Sequence, residues 1–340
     1  MKKYILGITA ASLALLTIGC GGSGPQGQLI GESNRVSYSN TAPIGMVWVP
    51  SGVLKAGAGD EDIQYALDAS VRTFNMIGFY MDATEITNAE YRQFTNWVRD
   101  SIAHTLLNNV TINNAGNTVI NWEAKRPDYT DEQIQMQLIG SLMLDATQTL
   151  EGRPKVDAGK LIYNYKEVNY AAATRNPNLP VTNFIVDKSI NIYPDTNVWM
   201  RQFSYSMNEP IAQQYNWFPA FDEYPVVGVN WKQANAFCNW RTMYFKSYKE
   251  RNGRYAEGQF RLPSELEWEW AARGGRDLSP YPWGGPYVMN KKGCYLANFK
   301  PMPGDYSADG GLYTVRADAY TPNDYGLYNM SGNVAEWDCG

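Results

Sequence analysis

Three helix openings, separated by sequence that breaks every few residues at Gly, Pro, Asn or Asp, restrict this chain more than any other feature. Thr87 with Glu90, Asn230 with Gln233, and Ser264 with Glu267 each form a capping box. In that motif the first side chain accepts from an early helical N–H and the later one reaches back. Tyr91, Phe94 and Val98 then recur at i, i+3 and i+7 and predict one buried helix face. Ala234, Phe237, Cys238 and Arg241 are expected to share a face of the second helix. Leu266, Trp270 and Arg273 recur on the third, which Gly274 can close in a left-handed stop. The expected strands are short: Gly45 to Pro50, closed by a Ser51-Gly52 turn, Phe79 to Met81, and Tyr224 to Val229. Ile190 to Phe203 reads as strands broken at Pro194, with Trp199 and Phe203 buried. Few helices, short strands and many turns make an irregular α+β domain and not a wound α/β sheet.

The 340 residues suit two modest domains or one large domain carrying an insertion. Hydrophobic residues make up 44% and charged residues 19%, a balance that folds. Aromatics reach 14%, with 11 Trp and 24 Tyr, so bulky amphipathic rings are available to pin loops. The formal charge of −5, from 29 basic and 34 acidic residues, carries no basic footprint for nucleic acid. The single histidine, His104, excludes His-rich zinc sites, and a Ser-His-Asp triad would have to be built around that one imidazole.

Residues 1–19 read as a signal segment: Lys2 and Lys3 precede an apolar run from Ile5 to Ile18, too short to span a bilayer. It ends at Thr17-Ile18-Gly19-Cys20, which resembles a bacterial lipobox; the alternative is an ordinary signal peptide that contains a cysteine. The resemblance implies cleavage before Cys20 and a diacylglycerol on its sulfur. Acyl chains anchor at about 0.8 kcal/mol per buried CH₂, so several on one cysteine attach it for good. Cleavage removes two lysines and no acid, which takes the charge from −5 to −7. Residues 20–43, rich in Gly, Ser and Asn, are expected to act as a flexible tether in the periplasm, where disulfides are permitted.

The ordered domain is expected over 44–340, interrupted at about 101–220 by an insertion of Asn, Gln, Asp and Tyr that holds small elements of its own. Trp199, Trp217, Phe218 and Phe221 cluster late in it, as core or as a partner-binding patch. Glu265, Glu267 and Glu269 point different ways on a helix and suit a capped, solvated first turn better than acid–base work.

Six segments in order resemble the formylglycine-generating enzyme (sulfatase-modifying factor) family. They are Met46 to Gly52, Glu85 to Tyr91, Tyr224 to Trp231, Arg261 to Glu269, Tyr281 to Gly284, and Tyr325 to Trp337. The resemblance implies the family's C-type-lectin-like α+β fold. The lipobox, the insertion, Ile192 to Thr196 and Cys294 to Phe299 are also similar to the GldK (PorK) family of gliding-motility lipoproteins. That likeness implies a type IX secretion system component on the periplasmic face of the outer membrane. It implies self-association into a ring with a GldN (PorN) partner, through heterologous contacts between identical copies.

Enzymes of the wider family hold copper on a cysteine pair beyond the Glu-Trp segment, and soft thiolate pairs suit Cu(I). Here Cys20 is taken by lipid, and Cys238, Cys294 and Cys339 match no such pair, so no copper and no catalytic residue is expected. Cys238 and Cys294 read as small buried hydrophobes, and a disulfide from Cys238 or Cys339 stays open. The resemblance implies two structural calcium sites. One is formed by Asn329, Gly332, Val334 and Glu336, the other by Asn298, Phe299, Asp309 and Gly311. The same residue types also make plain turns. Rival readings are a copper-dependent oxidase whose catalytic end is missing and a calcium-dependent lectin-like module. The family domain continues past the Glu-Trp segment, whereas this sequence stops at Asp338-Cys339-Gly340; either it is a fragment or the last strands are absent.

Overall fold

The computed structural model describes residues 42–57, 70–113, 116–205, 209–253 and 258–339. The signal segment, Cys20 and the tether as far as residue 41 lie outside the described residues. β1 (Met46–Val49), β2 (Gly52–Ala56), β3 (Arg72–Met76) and β4 (Phe79–Asp82) form two antiparallel ribbons, β1 with β4 and β2 with β3. β1 and β4 stand where alternation and turn chemistry placed them. Val49 and Leu54 turn inward onto Trp270, Ala271 and Leu327.

α1 (Asn88–Leu106) opens on the expected capping box, with Glu90 N donating to Thr87 Oγ1 at 3.3 Å and Thr87 N to Glu90 Oε2 at 2.9 Å. Tyr91, Phe94 and Val98 are buried as their spacing requires. The helix runs on into the polar stretch. Small elements follow: β5 (Val110–Ile112), β6 (Thr118–Ile120), α2 (Glu132–Leu138), β7 (Met143–Leu144), β8 (Lys155–Val156), β9 (Ile162–Val168), α3 (Tyr170–Arg175) and β10 (Ile185–Asn191). β9 and β10 pair over seven residues each as an antiparallel ribbon. Leu138, Leu142, Met143, Leu161, Tyr163 and Ile192 from this stretch share one core with α1 and with Ala236, Phe237 and Trp240. The stretch therefore builds the interior; it does not hang from the surface.

Two expected strands are absent. Residues Val198–Gln202 form a short helix, α4, because Asn197 N donates to Asp195 Oδ1 at 3.0 Å and this local turn starts a helical path. Trp199 is buried there, and Phe203 is half-buried against it. α5 (Pro210–Gln214) follows. Tyr224 to Val229 makes only one bridge, Pro225 to Thr87, plus Val226 N to Ile86 O at 2.8 Å. Asn88 N donates to Tyr224 O at 2.9 Å on the other side of that bridge, and the pairing stops because α1 begins at Asn88.

α6 (Trp231–Arg251) opens on Asn230 and Gln233 as expected. Its buried stripe is Gln233, Ala236, Phe237 and Trp240, turned from the face that includes Ala234, Cys238 and Arg241. Gln233 Nε2 fixes that rotation by donating to Asn191 O at 3.1 Å and Tyr193 O at 2.9 Å. Arg241, on the flank, forms two bonds to Asp82 at 2.6 and 2.7 Å.

α7 (Glu265–Arg273) has the Ser264–Glu267 capping box and ends at Gly274 with φ 59° and ψ 31°. Arg261 grips the Glu267 carboxylate at 2.7 and 2.6 Å and holds its pKa down to about 2. Ser264→Ala should lower stability by about 1 kcal/mol, read from a urea transition. No change would mean that Glu267 and Arg261 alone hold the helix start. Among the described residues nothing after Arg273 is helix or strand. Asn323 organises that tail: Nδ2 donates to Ala271 O at 2.7 Å and Ala272 O at 3.1 Å, and Oδ1 accepts from Tyr325 N at 3.0 Å and Leu327 N at 3.1 Å. The architecture is α+β with small ribbons and long ordered turns. Among the described residues no helix is long and apolar enough to cross a membrane.

Candidate metal centre

Two asparagines in the terminal loop, Asn329 and Asn333, adopt left-handed backbone conformations with φ 49° and 61°. Asparagine tolerates that region better than most residues. Gly332 lies between them at φ 92°, and a Cβ there would collide with the carbonyl oxygen of Asn298. Asn333 N donates to that oxygen at 2.8 Å, and Asn298 Nδ2 donates to Asn333 Oδ1 at 3.0 Å. This close packing joins the two loops that carry the candidate ligands.

Beneath them lies Glu85, buried between β4 and α1. Its Oε2 accepts from Asn329 Nδ2 at 3.0 Å and its Oε1 from Asn333 Nδ2 at 2.9 Å. Burial raises the Glu85 carboxyl to about 7, the Asn329 amide opposes the rise, and the charge of Glu336 adds to it. Desolvation raises the Glu336 carboxyl as well, against a hydrogen bond from Trp268 Nε1 at 2.6 Å. Glu336 itself is an exposed residue, and Trp268 Nε1 is the hydrogen-bond donor to its carboxylate.

Asn329 Nδ2 also faces the carbonyls of Arg316 at 3.3 Å and Ala317 at 3.0 Å. Three acceptors around the nitrogen settle which way the amide points. Its oxygen is thereby directed elsewhere, and Asn329 Oδ1 is buried with no hydrogen-bond partner. Among the described residues no hydrogen bond ends on the carbonyls of Gly332 or Val334 either. A buried, unsatisfied amide oxygen costs on the order of 1–3 kcal/mol unless something meets it. An oxygen-coordinated cation would do so, with Asn329, Gly332, Val334 and Glu336 as donors.

In the second set, Asp309 is buried and accepts from Phe299 N at 2.7 Å through Oδ2 and from Gly311 N at 3.2 Å through Oδ1. Asn298 donates to Tyr313 O at 2.7 Å. The four residues Asn298, Phe299, Asp309 and Gly311 are thus gathered in one place, with an amide oxygen and one carboxylate between them. Among the described residues no three His, Cys, Asp or Glu side chains converge. Both sets offer amide, carbonyl and single-carboxylate oxygens, which suit a hard ion such as calcium and not a soft one.

The described cysteines are all unpaired. Cys238 lies on α6, where burial pushes its thiol up to about 12, so it is no thiolate at neutral pH. Cys294 is exposed, contrary to the expectation of burial, because it closes a turn in which its N–H donates to Asn290 Oδ1 at 3.0 Å. Cys339 is exposed beside Pro263, to whose carbonyl its N–H donates at 2.9 Å. Trp199 and Phe221 pack into the interior with Tyr215, whereas Trp217 and Phe218 are exposed. Glu85 and Asn333 lie within the segments Glu85 to Tyr91 and Tyr325 to Trp337, yet neither carries an expected role at the site. The available signal was a carboxylate two residues before a helix cap, and asparagines at i and i+4.

A loop-built α+β body, closed by asparagine and glycine turns over buried carboxylates, defines a class of domain held together through its loops. The model of the sulfatase-modifying factor enzyme 1-like domain matches residues 33–339, and the chain belongs to that family. Inactive C-alpha-formylglycine-generating enzyme 2 of Bos taurus is 40% identical over 116 residues, 34% of this chain and 32% of that protein. Formylglycine-generating enzyme of Mus musculus is 27% identical over 295 residues, 86% of this chain and 57% of that protein. The chain spans between 32% and 57% of the length of these two relatives. The crystal structure of CarF aligns with 87% of this chain and 80% of its own, at 19% identity and a TM-score of 0.37. The family thus includes members named as enzymes and members named inactive.

Proposed function

We propose that this chain is a non-catalytic, lipid-anchored scaffold protein of the GldK (PorK) type. In this reading Cys20 carries the lipid, the body faces the periplasm from the outer membrane, and copies assemble with a GldN (PorN) type partner into a secretion ring. Calcium ties the two loop sets and does no chemistry.

What supports the reading is the exposed aromatic pair Trp217 and Phe218 on a body whose described cysteines are dispersed. Cys238 is a half-buried, unpaired thiol on α6, and Cys294 and Cys339 are exposed and unpaired. None of the three is set beside another to hold Cu(I). Kinship with a relative named inactive is compatible with that. The exposed Trp217 and Phe218 supply aromatic surface of the kind enriched at binding hot spots.

The test is made on the whole chain, expressed in a host that processes lipoproteins. Mass spectrometry should find acyl groups on Cys20, and Cys20→Ser should move the protein from the membrane fraction to the soluble one. Co-expression with a GldN-type partner should give a complex far larger than either chain. A monomer that never co-purifies sinks the assembly reading. Copper-dependent oxidation of a substrate cysteine by the purified protein would replace it with the oxidase reading.

A further inference from the structure

We infer that Glu85 is a positioning residue that couples the two candidate cation sites, so that filling one strengthens the other; this rests on the calcium reading above. The connection is a continuous set of hydrogen bonds. Glu85 Oε2 holds Asn329 Nδ2 at 3.0 Å, which directs the unpartnered Oδ1 of Asn329 toward the first site. Glu85 Oε1 holds Asn333 Nδ2 at 2.9 Å. Asn333 Oδ1 in turn accepts from Asn298 Nδ2 at 3.0 Å and from Val315 N at 2.9 Å. Asn298 belongs to the second site. One buried carboxylate therefore orients a side chain of the first site directly and one of the second through a single amide.

The arrangement leaves little room for partial adjustment. With a cation nearby to favour its ionised form, the Glu85 carboxylate only accepts, so it can satisfy both asparagine amides at once. A cation that draws Asn329 Oδ1 outward pulls on Nδ2 and on Glu85, and Asn333 and Asn298 feel the same displacement. Coupling then follows from shared positioning, and it must be reciprocal.

Glu85→Gln separates coupling from folding. Glutamine keeps the volume but turns one acceptor into a donor, so it can hold only one of the two amides. The measurement is a calcium titration of the full chain by calorimetry. Terbium luminescence, excited through Trp268 beside Glu336, reports the first site separately. In the wild-type background, Asp309→Asn at the second site should weaken calcium at the first by about tenfold. In the Glu85→Gln background the same Asp309→Asn change should leave the first site unaltered. Asn333→Gly, which suits the left-handed backbone there, breaks the relay at its middle and should also abolish the interaction. Independent sites in the wild type, or coupling that survives both relay variants, overturns this inference while calcium binding stands. A wild-type protein that binds no calcium overturns the calcium reading and this inference together.

Discussion

Phe94→Ala is expected to destabilise the protein by about 3–5 kcal/mol, the range for truncating a buried phenylalanine. Phe94 is fully buried, and its ring centroid lies 5.8 Å from Tyr91, 5.3 Å from Tyr163, 5.8 Å from Phe237 and 5.1 Å from Trp240. Those rings come from α1, β9 and α6, so the cavity opens where three sequence regions meet. Urea unfolding measures the loss. Amide exchange measures its reach: protection should fall along β9 and α6 as well as in α1. Loosening confined to α1 would mean that residues 101–220 fold apart from the rest, against the shared core described above. Phe94→Leu, which keeps most of the volume, should lose distinctly less.

The metal-free protein should grow less stable as pH rises from about 4.5 to above 7. Glu85 accounts for the direction. Its carboxyl titrates near 4.5 when exposed and near 7 in the fold, so between those values the folded state holds a proton that the unfolded state has released. The contribution of Glu85 to stability is fully present below the unfolded value and is lost as pH climbs through the folded one. The shift corresponds to about 3 kcal/mol. Glu85→Gln should flatten this window, because the buried charge is gone. Measured in a chelator, thermal melts at pH 5 and pH 8 decide the matter. A wild-type protein more stable at pH 8 than at pH 5 would contradict the assignment. Adding calcium should reduce or reverse the slope, since a nearby cation favours the ionised carboxylate.

The helix starts could be read directly because each is a local event. A cap, its partner three residues on and the first apolar stripe lie within one or two turns, and short-range sterics and hydrogen bonds settle them. Thr87, Asn230, Ser264 and Gly274 all behave in the structure as their spacing implied. The failures are instructive for the same reason. Val198–Gln202 and the segment before Asn230 look extended, yet Asx-turn geometry at Asp195 and the start of α1 at Asn88, which ends the partner of Pro225, override propensity. The rotation of α6 was not legible either, since Gln233 is aimed by carbonyls of Asn191 and Tyr193, some forty residues away in sequence.

The candidate site divides along the same line. Asn298, Phe299, Asp309, Gly311, Asn329, Gly332, Val334 and Glu336 could be named because turn residues cluster in sequence and follow a family pattern. Glu85 could not be assigned, because it is separated by |i−j| of 244 from Asn329 and 248 from Asn333, and nothing near it in the chain announces those partners. By itself, then, the order of amino acids determined where helices begin, where the chain must turn and which residue types could meet a cation. Only the packed structure decided which carboxylate is desolvated beneath those turns, because burial and long-range hydrogen bonding exist only once distant segments have been brought together.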